Sequence, residues 1–123
     1  MTGSIFDKLS SGDAKAVKAA GTRVTVPEGW SPINQGTGSD KAYIVLEGEA
    51  SVRKGGEEIA RVGPGAVLGE MSIVNHTLRT ASVVSLTDLV LLHYTREKFE
   101  KLLTDVSSFR SALDELARER IGG

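Results

Sequence analysis

The chain has no cysteine. That excludes disulfides, thiolate metal sites and cysteine nucleophiles together. Prolines number three, and no internal repeat, low-complexity segment or linker stands out. Neither sign of charge dominates. The formal net charge is −1, so no global field draws the chain to nucleic acid or to an anionic membrane. Long apolar runs are missing too. None approaches the ~20 residues needed to span a bilayer, and the first twenty residues carry Asp7, Lys8, Asp13, Lys15 and Lys18 instead of an apolar signal segment. A cytoplasmic location without membrane attachment is the expectation. What remains is 123 residues, 40% hydrophobic and 25% charged. That is the size and mix of one globular domain over 1–123, able to bury a core without staples.

The pattern changes twice along the chain. Ile5, Phe6 and Leu9 form a short apolar cluster. Ser10-Ser11-Gly12-Asp13 then reads as a capped helix start, and the alanine-rich run to Ala20 predicts a helix over 10–20, closed by Gly21. From 22 to 94 the period is two. Strands are predicted at Thr22–Val26, Ser31–Gln35, Tyr43–Leu46, Ala50–Arg53, Glu58–Val62, Ala66–Leu68, Thr80–Leu86 and Leu89–Tyr94, with a Gly-Gly hairpin tip at Gly55-Gly56. Short strands at regular spacing imply an antiparallel barrel or a sandwich, mainly β with flanking helices. From Thr95 the period becomes helical. Phe99, Leu102, Leu103, Val106, Phe109, Leu113 and Leu116 share a face, and Asp105 to Ser108 divides this into helices near 96–104 and 107–120.

The informative window is Gly63 to Ser82. Its two clear charges are Glu70 and Arg79, and Gly63-Pro64-Gly65 and Gly69 open it. Gly69 permits close backbone approach or positive φ. Glu70 to Val74 is one helical turn, whose first N–H groups suit an anion. Glu70 and Arg79 can face each other across one pocket. A guanidinium fits a phosphodiester bidentately, and a carboxylate accepts from a hydroxyl. The plainer alternative is that Glu70 and Arg79 pair with each other.

In this window and around it the chain resembles the cyclic-nucleotide-binding domain family. The residues that carry the likeness are Leu68-Gly69-Glu70 with Leu78-Arg79-Thr80-Ala81, Gly63-Pro64-Gly65, Gly36, Tyr43-Ile44-Val45-Leu46-Glu47-Gly48 and Phe99. They span about residues 5–104, in order and at matching distances. The resemblance implies an eight-stranded antiparallel β-barrel, jelly-roll-like, with one helical region before it (5–20) and two helices after it (95–120). It implies a phosphate-binding cassette at 68–81. There Glu70 takes the ribose 2′-OH, Arg79 the phosphate, and amides near Gly69, Glu70, Met71, Thr80 and Ala81 complete the cradle. Phe109 and Leu113 are candidates to cover the purine, or plain packing residues. The ligand implied is cAMP, with cGMP as alternative because a Thr80 hydroxyl can reach the guanine amino group. Leu68, Ser72 and Leu78 stand where the family usually has Phe, Ala and Pro.

No nucleophile–base pair, metal spacing or cofactor loop is present, so neither enzyme activity nor a metal is expected. His76 and His93 lie too far apart in sequence for a clustered metal centre. The resemblance also implies relatives with helix-turn-helix, kinase or channel segments, none of which this sequence shows. DNA binding by the chain is therefore not expected. Output is expected through an unidentified regulated protein, through a homodimer formed by the C-terminal helix, or through nothing more than buffering of the nucleotide. The competing reading is a barrel that binds no nucleotide and serves as a protein-interaction module. Trp30 is left without a role.

Overall fold

The computed structural model describes residues 4–33, 36, 41–69 and 81–122. A 3₁₀ turn, Ile5–Lys8, precedes helix α1, Ser11–Ala20. Ser10 caps α1 by accepting from Asp13 N–H at 3.2 Å, which satisfies one of the orphan donors of the first turn. Seven strands follow: β1 Thr22–Val26, β2 Lys41–Glu47, β3 Ala50–Lys54, β4 Glu57–Val62, β5 Val67–Leu68, β6 Ser82–Ser85 and β7 Leu89–Thr95. Helices α2, Arg96–Asp105, and α3, Ser107–Gly122, complete the order. Thr95 caps α2 through Lys98 N–H. Val106 leaves helical geometry (φ −120°, ψ 83°) and separates α2 from α3.

The strands form two antiparallel sheets, ordered β1-β7-β2-β5 and β4-β3-β6. This corrects the expected eight-stranded barrel: the described residues hold seven strands, and the sheets are not closed on one another. The strand predicted at 31–35 is not among the seven. Of its described residues only Ile33 pairs, as an isolated bridge to Val83. Pro32 brings no N–H to a ladder, and the Ser31 hydroxyl lies against the Ile33 and Val83 carbonyls. Residues 34 and 35 lie outside the described residues.

The four-stranded sheet is a middle layer, which explains why Tyr43 to Leu46 is apolar on both faces. Ala42, Ile44, Leu92 and Tyr94 turn toward the helices and pack with Ile5, Val17, Phe99, Leu102, Phe109, Ala112, Leu113 and Leu116. Val45, Leu68, Leu89 and Leu91 turn toward the other sheet and meet Ile33, Ala50 and Val83. On the helix side Tyr94, Phe99 and Phe109 stack edge to face, with centroids 6.2 and 5.6 Å apart. Such pairs add about 0.5–1.5 kcal/mol each beyond burial. The buried Tyr94 hydroxyl donates to Val17 O at 2.6 Å, so β7 satisfies a carbonyl near the end of α1. Gly21 leaves room for that ring, since a Cβ there would lie 2.8 Å from Tyr94 Cζ.

Candidate functional site

The window begins in a clamped turn. Gly65 N–H donates to Val45 O at 2.7 Å, Val45 N–H to Ala66 O at 2.9 Å, and Ile5 N–H to Gly65 O at 3.0 Å. Gly65 has φ +87°, and a Cβ there would overlap Ser4. Of the two glycines in Gly63-Pro64-Gly65, Gly65 is therefore the demanding one, since a Cβ at Gly63 would meet nothing closer than 3.8 Å. It ties the start of the window both to β2 and to the N-terminal turn. That turn is in turn tied to α3: Lys8 Nζ stands 3.5 Å from Glu115 Oε2, and Ser108 Oγ donates to Asp13 Oδ2 on α1 at 2.6 Å.

β5 then pairs with β2, Val67 opposite Ile44 and Leu68 opposite Tyr43. At Gly69 the backbone turns left-handed, φ +84°, a conformation glycine takes without strain. Glu70, Met71, Ser72, His76, Leu78, Arg79 and Thr80 lie outside the described residues. The chain reappears at half-buried Ala81 and enters β6 at Ser82. The window thus departs from an edge strand of one sheet and returns to an edge strand of the other.

Each sheet presents a row of side chains beside those two points. Leu68, Tyr43 and His93 sit opposite one another across β5, β2 and β7. Tyr43 and His93 are half-buried, with rings 5.6 Å apart. On the other sheet Val83, Val52 and Ala60 are in register across β6, β3 and β4. The next residue of β4, Ile59, has no partner: the register passes from Val52–Ala60 to Arg53–Glu58. This is a bulge, which re-aims side chains and ends regular pairing. It leaves Ile59 58% exposed. It also explains why Arg61 Nε reaches Glu58 Oε1 at 3.0 Å, because residues three apart face opposite ways in a regular strand. The buried Ser51 hydroxyl donates to the same carboxylate at 2.7 Å. That bond and then Arg61 hold the Glu58 carboxyl below its usual range.

Ile59 escaped the sequence reading. The only signal was an apolar residue flanked by acids and a small residue at a hairpin, and pairing, not pattern, decides where a bulge falls. Phe109 and Leu113 belong to the helix-side core. Phe109 is fully buried against Phe99, and Leu113 is 7% exposed in the same helix-side core. Among the described residues no group of three or more His, Asp or Glu is arranged to hold a metal. Nor is any helix there long and apolar enough to cross a membrane.

A Gly-led departure from one sheet edge, a return to the other and two rows of side chains at those points define a small-ligand binding module. Residues 23–105 match the family model for the cyclic nucleotide-binding domain, and the chain belongs to that family. It is 32% identical over 104 residues to the cAMP-dependent protein kinase regulatory subunit of Yarrowia lipolytica, covering 83% of this chain and 28% of that protein. It is 36% identical over 70 residues to the cGMP-dependent protein kinase egl-4 of Caenorhabditis briggsae, covering 57% of this chain and 9% of the relative. The Thermus thermophilus catabolite activator protein superposes with a TM-score of 0.84 at 28% identity, over 95% of this chain and 57% of that one. The chain spans 9% to 29% of the length of the curated relatives it matches.

Proposed function

We propose that the chain is a cytoplasmic cyclic-nucleotide sensor that acts by binding and not by catalysis, and that it prefers cAMP. Arg79 holds the phosphate bidentately and Glu70 accepts from the ribose 2′-OH. Amides of Gly69, Glu70, Met71, Thr80 and Ala81 complete the cradle. The observation that carries this reading is Gly69. Its left-handed turn lies where the family motif Leu68-Gly69-Glu70 needs backbone close to the ligand. The exposed Ile59 beside half-buried Val52 supplies apolar surface for the purine at the same end of the sheets. The signal leaves through the clamp at Gly65. Ligand closes the cassette, the N-terminal turn shifts, and α3, joined to it through Lys8 and Glu115, repositions to regulate a partner protein. In that closed state Phe109 and Leu113 are the residues α3 offers to the purine. Coupling of this kind requires a preference for the closed state of ~1–3 kcal/mol.

A titration by calorimetry tests the site. Arg79→Ala removes charge-assisted bonds worth roughly 1.5–3 kcal/mol, so cAMP affinity falls about 10- to 100-fold. Equal affinity in both proteins contradicts the role of Arg79. A cGMP preference is favoured by Thr80 and by the 36% identity to a cGMP-dependent kinase. Tighter binding of cGMP, lost in Thr80→Ala, selects it. If the unaltered protein binds neither nucleotide at millimolar concentration, the interaction-module reading replaces both.

A further inference from the structure

The single tryptophan of the chain stands outward on a tightly held turn. Trp30 is 67% exposed. Its backbone N–H donates to Ser85 Oγ at 3.0 Å and to Pro27 O at 3.2 Å. Its carbonyl accepts from Ser85 N–H at 2.8 Å, and Gly29 N–H donates to Ser85 O at 2.9 Å. The buried Ser85 hydroxyl also reaches the Pro27 and Trp30 carbonyls. A large aromatic on a backbone fixed in this way loses little further freedom on contact, which is what interface anchors share.

Three exposed carboxylates adjoin it. Asp88 Oδ1 accepts from Glu28 N–H at 2.9 Å. Thr87 Oγ1 accepts from Glu49 N–H at 3.1 Å, and Glu49 O from Leu86 N–H at 2.9 Å. One continuous surface therefore carries Trp30, Glu28, Asp88 and Glu49. None of these acids forms an ion pair with a described residue, whereas neighbouring Glu47 is matched by Arg23 at 3.3 Å. We propose that this end of the sandwich binds a basic segment of another protein, one cationic side chain stacking on the Trp30 indole and its neighbours meeting Glu28, Glu49 and Asp88. An indole face is the best aromatic partner for a cation, and unmatched carboxylates beside it add charge-assisted bonds. The same charges repel anionic lipid and nucleic acid. The surface lies past the far end of β2 from the Tyr43–Leu68 pair, with Glu47 about 13 Å along the strand from Tyr43 at 3.3 Å per residue.

Anisotropy of a fluorescein-labelled nona-arginine peptide, titrated with the whole chain, tests this. Saturable binding is expected, weakened at least about tenfold in Trp30→Ala and in Glu28→Gln/Glu49→Gln. The control Glu97→Gln/Glu100→Gln on α2 should stay within about twofold. Emission of Trp30 in the unaltered protein should change along the same curve, with or without cAMP. The proposal is overturned by absence of saturation at about 100 µM protein, by Trp30→Ala binding as well as the unaltered chain, or by the α2 control losing as much as the Glu28 and Glu49 variant.

Discussion

On its helix side the four-stranded sheet is sealed by rings: Tyr94, Phe99 and Phe109 have no exposed surface. On the side facing the second sheet the fill is Val, Leu, Ile and Ala. It thins toward the end where the chain leaves at Gly69, from fully buried Leu89 and Leu91 to half-buried Tyr43 and Val52 and exposed Ile59. Rings closed by two helices make a sealed, packed face. A sheet-to-sheet core that stays open at one end keeps apolar surface beside the backbone that the proposed site uses. Under that proposal one face of β2 serves stability and the other, near Gly69, serves binding.

The strongest challenge to that contrast is a pair of truncations. Phe109→Ala should cost about 3–5 kcal/mol in urea denaturation. Ile59→Ala should cost less than about 0.5 kcal/mol yet weaken cAMP in calorimetry. Similar losses of stability at the two positions would erase the distinction.

A smaller effect sharpens the helix side. Tyr94→Phe leaves the Val17 carbonyl without its donor, at a cost of about 1–3 kcal/mol. The change also acts through pH. Burial pushes the Tyr94 phenol well above its ordinary value. A group raised in the folded state contributes stability that is fully present below its unfolded value, about 10, and is lost as pH climbs toward the folded value. Stability curves at alkaline pH should therefore be flatter in Tyr94→Phe than in the unaltered chain. Smallest is Ser10→Ala, which removes the α1 cap and should cost about 1 kcal/mol in the same denaturation assay, with nucleotide affinity unchanged.

The helices were legible because their signals are local. Ser10 caps one, Phe99 to Leu116 keeps a helical period, and the polar stretch at 105–108 falls where Val106 breaks α2 from α3. The strand count was not, since it depends on partners. Ser31 to Gln35 has strand composition, but among its described residues only Ile33 finds a bridge. Period two could not separate a barrel from a sandwich either, because both alternate. What separates them is which edges bond, a long-range fact. For the site, Gly69 and Ala81 stand at the two sheet edges that the motif spacing joins. Ile59 was hidden because a bulge depends on the register against β3.

The central claim is that this chain binds a cyclic nucleotide through Arg79. Heat denaturation of the unaltered chain and of Arg79→Ala, each with graded cAMP and cGMP, tests it most directly. A ligand that binds only the folded state must stabilise it, by about 2.7 kcal/mol at a hundredfold excess over Kd. The account predicts a midpoint that climbs with cAMP in the unaltered chain and barely moves in Arg79→Ala at the same concentrations. A midpoint indifferent to both nucleotides, or one that climbs equally in the two proteins, would contradict it.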